Sequence, residues 1–120
     1  MARRWQSAKP KAHAVINLVG IPIEHRPEFS DGLLPRLQEL RARLGRPHWI
    51  VIDETHHLMP TTWHPATLTL PQRLEGLILI TVHPEHVSRR VLDDVRTVIV
   101  IGASPAETLA AFAEKVEEPA

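Results

Sequence analysis

Two carboxylates and two imidazoles stand together in the run Asp53-Glu54-Thr55-His56-His57, directly after the apolar stretch Trp49-Ile50-Val51-Ile52. Adjacent acids at the tip of an apolar strand are costly unless a metal ion, a cation or water meets them. Such a pair can divide labour, one acid holding a divalent cation and the other orienting or activating a water for attack. A second polar tip follows the apolar run Leu77-Ile78-Leu79-Ile80, where Thr81 and His83 precede Pro84. In open α/β sheets the ligand crevice lies outside the carboxyl ends of the strands, where both tips would fall. The plainer alternatives are an acid that caps a turn and a strand end that meets water.

Metal chemistry is a further expectation. Imidazole and carboxylate together suit zinc, manganese or iron, and His56, His57, His83 and His86 could converge with Asp53 on such an ion. Their spacing matches no established ligand motif such as His-Glu-x-x-His. His13, His25, His48 and His64 read as surface or loop residues. Trp5, Trp49 and Trp63 read as packing groups, because no basic–aromatic interleaving of the kind that stacks bases accompanies them.

The elements that must hold these groups follow from hydrophobic spacing. Residues 14–19 read as a strand closed by Gly20 and Pro22. Leu33, Leu37, Leu40 and Leu44 form one apolar stripe and predict a helix over 28–44, with Pro35 kinking or separating its first turn. Gly45 is a natural stop, and Arg41, Arg43 and Arg46 suit the negative end of the helix dipole. Further strands are expected at 49–53, 77–82 and 97–101, a proline-rich loop at 58–76, and a short helix at 85–95 with Val87, Val91, Leu92 and Val95 as its apolar face. Ser104-Pro105-Ala106-Glu107 is a strong helix start, the helix running to about Val116. Continuous apolar strands alternating with helices predict a three-layer α/β fold, with a mostly parallel sheet of about four strands and flanking helices.

Composition narrows the classes. A chain of 120 residues is one domain or a piece of a larger one. The 14 basic and 14 acidic side chains cancel, so no global field argues for nucleic acid or membrane. Arg3, Arg4, Lys9 and Lys11 have no acid among them, which makes residues 1–12 a basic flexible arm, solvated or able to touch a phosphate backbone. The lack of cysteine excludes disulfides and thiolate sites. No apolar stretch approaches the ~20 residues of a membrane span, and no apolar region of a secretory signal follows the N-terminal basic residues. The expectation is a cytoplasmic protein with no membrane partner.

The residues resemble the HerA/FtsK-type P-loop ATPases, most closely those bacterial proteins in which the core follows a phosphatase domain of the haloacid dehalogenase superfamily. The likeness rests on Asn17-Leu18-Val19-Gly20-Ile21-Pro22, Leu34 to Arg41, Pro47 to Leu58, Leu70 to Gly76 and Thr81 to Ser88, and covers roughly residues 14–116. It implies that residues 13–118 are part of a RecA-like core. In that core Asp53 holds Mg²⁺, Glu54 is the water-activating acid of a Walker B motif, and Thr81 or His83 is a sensor of the phosphates. Thr55 stands where the family usually has alanine. The large departure is the phosphate-binding loop. None of Gly20, Gly32, Gly45, Gly76 and Gly102 is followed by Lys-Ser or Lys-Thr, so no Walker A sequence is present. The phosphatase Asp-x-Asp is absent as well.

The resulting expectation is the C-terminal part of such an ATPase, a truncated product or a diverged relic. It would need Mg²⁺ and ATP only if the phosphate-binding half is supplied, and would hydrolyse little or nothing alone. In the family's sheet the missing strand lies between the segments at 77–82 and 97–101, which would leave two open edges. A non-catalytic assembly module pairing through those edges is one alternative. A metal-dependent hydrolase using Asp53, Glu54 and the histidines is another.

Overall fold

The computed structural model describes residues 13–45, 48–63 and 75–117. The basic arm, Trp5, His64 and most of the proline-rich loop lie outside the described residues.

Helix α1 spans Arg26–Leu44. Pro27 sits in its first turn, where the missing N–H would have had no helical partner. Gly45 closes it in the left-handed conformation (φ 60°), its N–H donating to the Arg41 carbonyl at 3.0 Å. Pro35 neither ends nor separates the first turn, contrary to expectation: α1 runs through it as one helix. The helix is anchored on the N-terminal side of the proline, where Ser30 and Leu34 are buried and Asp31 accepts a 2.8 Å hydrogen bond from Trp63 Nε1. That packing offsets the backbone bond which proline deletes.

Strand β1 (Ile50–Ile52) and strand β2 (Leu77–Leu79) pair in parallel, with Ile50 opposite Leu77, Val51 opposite Ile78 and Ile52 opposite Leu79. The ladder is extended by Ile50 N–H to Gly76 O and Ile80 N–H to Ile52 O, both 2.9 Å. Gly76 enters β2 with φ +67°, and a Cβ there would run into the Arg41 guanidinium. That guanidinium donates to the Glu75 carbonyl at 2.8 Å, so α1 is tied to the start of β2.

The molecule is therefore α/β with a parallel pair. Among the described residues two of the four expected strands are paired. Residues 14–19 and 97–101 form no strand. Several of their apolar side chains face solvent, Val15 at 91% exposed, Ile99 at 82% and Ile101 at 93%, while Ile16, Leu18 and Val100 are half-buried. A β-prone segment gains little from extension without a neighbour to complete its ladder, and neither segment has one here.

The expected helix at 85–95 divides into a 3₁₀ turn, Pro84–His86, and helix α3, Arg89–Leu92. Between them Val87 bridges antiparallel to Pro60, and Ser88 N–H donates to the Met59 carbonyl at 2.8 Å. Helix α2 is the single turn Thr55–Leu58, and helix α4 spans Pro105–Glu117. The core is Leu34, Ile52, Met59, Trp63, Val87, Val91 and Leu92, flanked by Phe112 and Val116 of α4. Trp63 packs there as expected, but Trp49 does not: it is 70% exposed. No helix among the described residues is long and apolar enough to cross a membrane.

Candidate functional site at the strand tips

The chain leaves β1 through Asp53 and Glu54 and turns at once into α2. The turn is made by Glu54, which holds φ 52° and ψ 46°, and is the one non-glycine residue with positive φ among the described residues. A side chain in that region costs of order 1–3 kcal/mol, and such strain clusters at functional sites. The Glu54 N–H donates to Asp53 Oδ1 at 2.9 Å, which turns one oxygen of that exposed carboxylate back onto the chain.

Thr55 fixes the two tips to each other. It is fully buried; its N–H donates to the Ile80 carbonyl at 3.0 Å. Its hydroxyl reaches Ile52 O at 3.0 Å and Ile80 O at 3.1 Å. One side chain thus spans the ends of both strands.

His56 is the centre of the polar cluster. Its side chain is only 8% exposed, with Nδ1 2.9 Å from Thr81 Oγ1 and Nε2 3.3 Å from Glu54 Oε2. Thr81 Oγ1 also accepts the His83 N–H at 3.0 Å, which leaves the hydroxyl proton free for His56 Nδ1. In that tautomer Nε2–H faces the Glu54 carboxylate. Burial, reinforced by the neighbouring His57, holds the His56 pKa below its ordinary value, while Glu54 pulls the other way.

The rings run on as a chain, His57 to His56 at 4.2 Å, His56 to His83 at 5.4 Å and His83 to His86 at 4.9 Å. Glu85 sits at the far end, its Oε1 3.1 Å from His83 Nδ1 and 3.8 Å from His86 Nε2. Burial works to raise the Glu85 carboxyl, but its own backbone N–H and the His83 bond outweigh this and hold it low.

Two groups have donor atoms close enough to share a cation, Glu54 with His56 and His57, and His83 with Glu85 and His86. Asp53 belongs to neither. The expected convergence of the histidines on Asp53 is therefore corrected: the carboxylates that meet the imidazoles are Glu54 and Glu85. Asp53 remains an exposed oxygen donor of the kind Mg²⁺ takes.

Glu54, Thr81 and His83 are brought together as expected, but through His56, whose linking role the spacing did not reveal. Glu85 was missed too, although its place two residues after His83 and next to His86 was a usable signal. No Walker A sequence is present, since no glycine is followed by Lys-Ser or Lys-Thr. Comparison with protein-family models, with characterised proteins and with solved structures finds no match for this chain.

Proposed function

We propose that the chain carries the Walker B and sensor half of a HerA/FtsK-like ATP-hydrolysing P-loop protein, and requires a separate phosphate-binding half to act. The reading is supported above all by the parallel pairing of β1 with β2, whose carboxyl ends present Asp53-Glu54 and Thr81-x-His83 to one another. The 2.9 Å contact between Thr81 Oγ1 and His56 couples the two tips. In this reading Asp53 is the ligand for Mg²⁺, which would supply charge neutralisation at the transferring phosphoryl group. Glu54 holds and orients the attacking water, and its 3.3 Å contact with His56 Nε2 fixes the direction of the carboxylate. Thr81 and His83 face the phosphate side and report its presence to His56. The finer architecture, a three-layer core with a mostly parallel sheet of about four strands, is proposed for the assembled protein; the exposed side chains of Val15, Val19, Ile99 and Ile101 support that reading.

Phosphoryl transfer depends on positioning, so the half-site alone should turn over little or no ATP. Colorimetric phosphate release is the test. The chain alone is expected to give none, and the chain joined to a Walker A strand, loop and helix is expected to give turnover that Glu54→Gln abolishes. Turnover by the chain alone that Glu54→Gln removes would overturn the requirement for a second half. A folded reconstituted pair that neither binds ATP nor turns it over would overturn the reading itself.

A further inference from the structure

We propose that Glu54, His56 and His57 form a binding site for a first-row transition metal of the zinc class, independent of any nucleotide. Zinc bound tetrahedrally at about 2.0–2.2 Å keeps its nitrogen and oxygen donors roughly 3.3–3.5 Å apart. His56 Nε2 and Glu54 Oε2 are already 3.3 Å apart, and a donor atom of His57 lies within 4.8 Å of both.

Three further observations point the same way. His56 Nδ1 lies 2.9 Å from Thr81 Oγ1; a metal on Nε2 would move the ring proton to Nδ1, which then donates to Thr81 Oγ1 in the orienting hydrogen bond that imidazole ligands of metals regularly make. His57 Nδ1 is buried and has no hydrogen-bond partner among the described residues. Such a group costs about 1–3 kcal/mol unless something meets it. Glu54, on a left-handed backbone, places its carboxylate 3.3 Å from His56 Nε2. With two imidazoles to one carboxylate, the donor set favours zinc, nickel or copper over the oxygen-seeking Mg²⁺. The other triad, His83, Glu85 and His86, is exposed throughout and lacks both the orienting hydroxyl and the orphaned nitrogen. Three protein ligands leave a fourth position open to solvent, as in catalytic rather than structural zinc sites. Occupancy would take Glu54 out of the hydrolytic role, so metal binding and hydrolysis would compete for one carboxylate.

The test uses the full chain without a histidine tag and without nucleotide, so its failure is separate from failure of the ATPase reading. Zn²⁺ is titrated with a competing chelator, and Co²⁺ absorption reports the coordination. A single ion per chain with a tetrahedral cobalt spectrum is expected. His57→Ala should weaken binding at least tenfold, and Thr81→Val by about 10–100-fold. The double variant His83→Asn, His86→Asn should bind like the parent. Because His56 and His57 are partly buried, the parent chain supplies a second readout in its histidine ring NMR signals. Zn²⁺ should shift those of His56 and His57 first. Absence of stoichiometric binding, or shifts confined to His83 and His86, overturns the proposal.

Discussion

Thr55 occupies the position where a hydroxyl can serve two strands at once, and its value can be separated from its shape. Ile52 O and Ile80 O each retain a backbone donor when the hydroxyl is removed, Ile80 N–H and Thr55 N–H respectively. Thr55→Val should therefore cost only about 0.5–1.5 kcal/mol in denaturant unfolding, rather than the full penalty of an orphaned carbonyl. Thr55→Ser should recover most of it; equal losses for valine and serine would show that packing, and not the hydroxyl, matters there. His56 makes a prediction about pH. Its pKa is held below the ordinary value of 6.5, mainly by burial, so the unfolded chain binds that proton more readily than the folded one. Stability is then undiminished above about pH 6.5 and declines as the pH falls from there toward the folded pKa. Melting temperatures measured between pH 8 and pH 5 should fall on the acid side, and His56→Gln should flatten the fall. A parent profile as flat as that of the variant would contradict the assignment.

Helix α1 and strand β2 meet where Gly76 and Arg41 share a space that a methyl group cannot enter. Gly76→Ala forces a left-handed alanine, at roughly 1–2 kcal/mol, and also displaces the Arg41 guanidinium from the Glu75 carbonyl. In an Arg41→Ala background only the backbone cost remains, so the substitution should be milder there by thermal melting. Additive losses would mean that the two residues do not touch in solution. What was legible in advance divides at this scale. Helix α1, its glycine stop, the parallel pair and α4 follow from spacing and punctuation, which are local. The unbroken course of α1 through Pro35 was hidden, because it depends on Trp63 reaching Asp31 across 32 positions. The strands expected at 14–19 and 97–101 read correctly as β-prone and apolar, but a strand exists only with a neighbour. In the site, the acids and the polar tips were visible as residue types at strand ends. That Glu54 and not Asp53 meets the imidazoles was not visible, nor was the left-handed backbone at Glu54, which no pattern announces.

Taken as a whole, the molecule has a small core for its length and keeps several of its most apolar side chains in water. Val15, Val19, Ile99 and Ile101 are each at least 82% exposed, and Val82, just past the end of β2, is 71% exposed. Two-stranded sheets with open edges are marginal by themselves and offer unpaired N–H and C=O groups to any further strand. At high concentration another copy is the strand donor most available, so the chain is expected to self-associate. Light scattering after size exclusion should give a mass above 13.5 kDa that rises with loading, and the melting temperature should rise with concentration. Ile99→Lys with Ile101→Lys should return the chain to a monomer, because charges on this exposed apolar segment oppose its addition as a strand to another copy. The same pair should change the melting point of a dilute sample little, since both side chains already face solvent. A phosphate-binding half that supplies the missing strand should suppress self-association in the parent, by occupying the same edge. If it instead binds while the oligomer persists unchanged, the edges serve self-assembly alone, and the proposed second half does not dock through them.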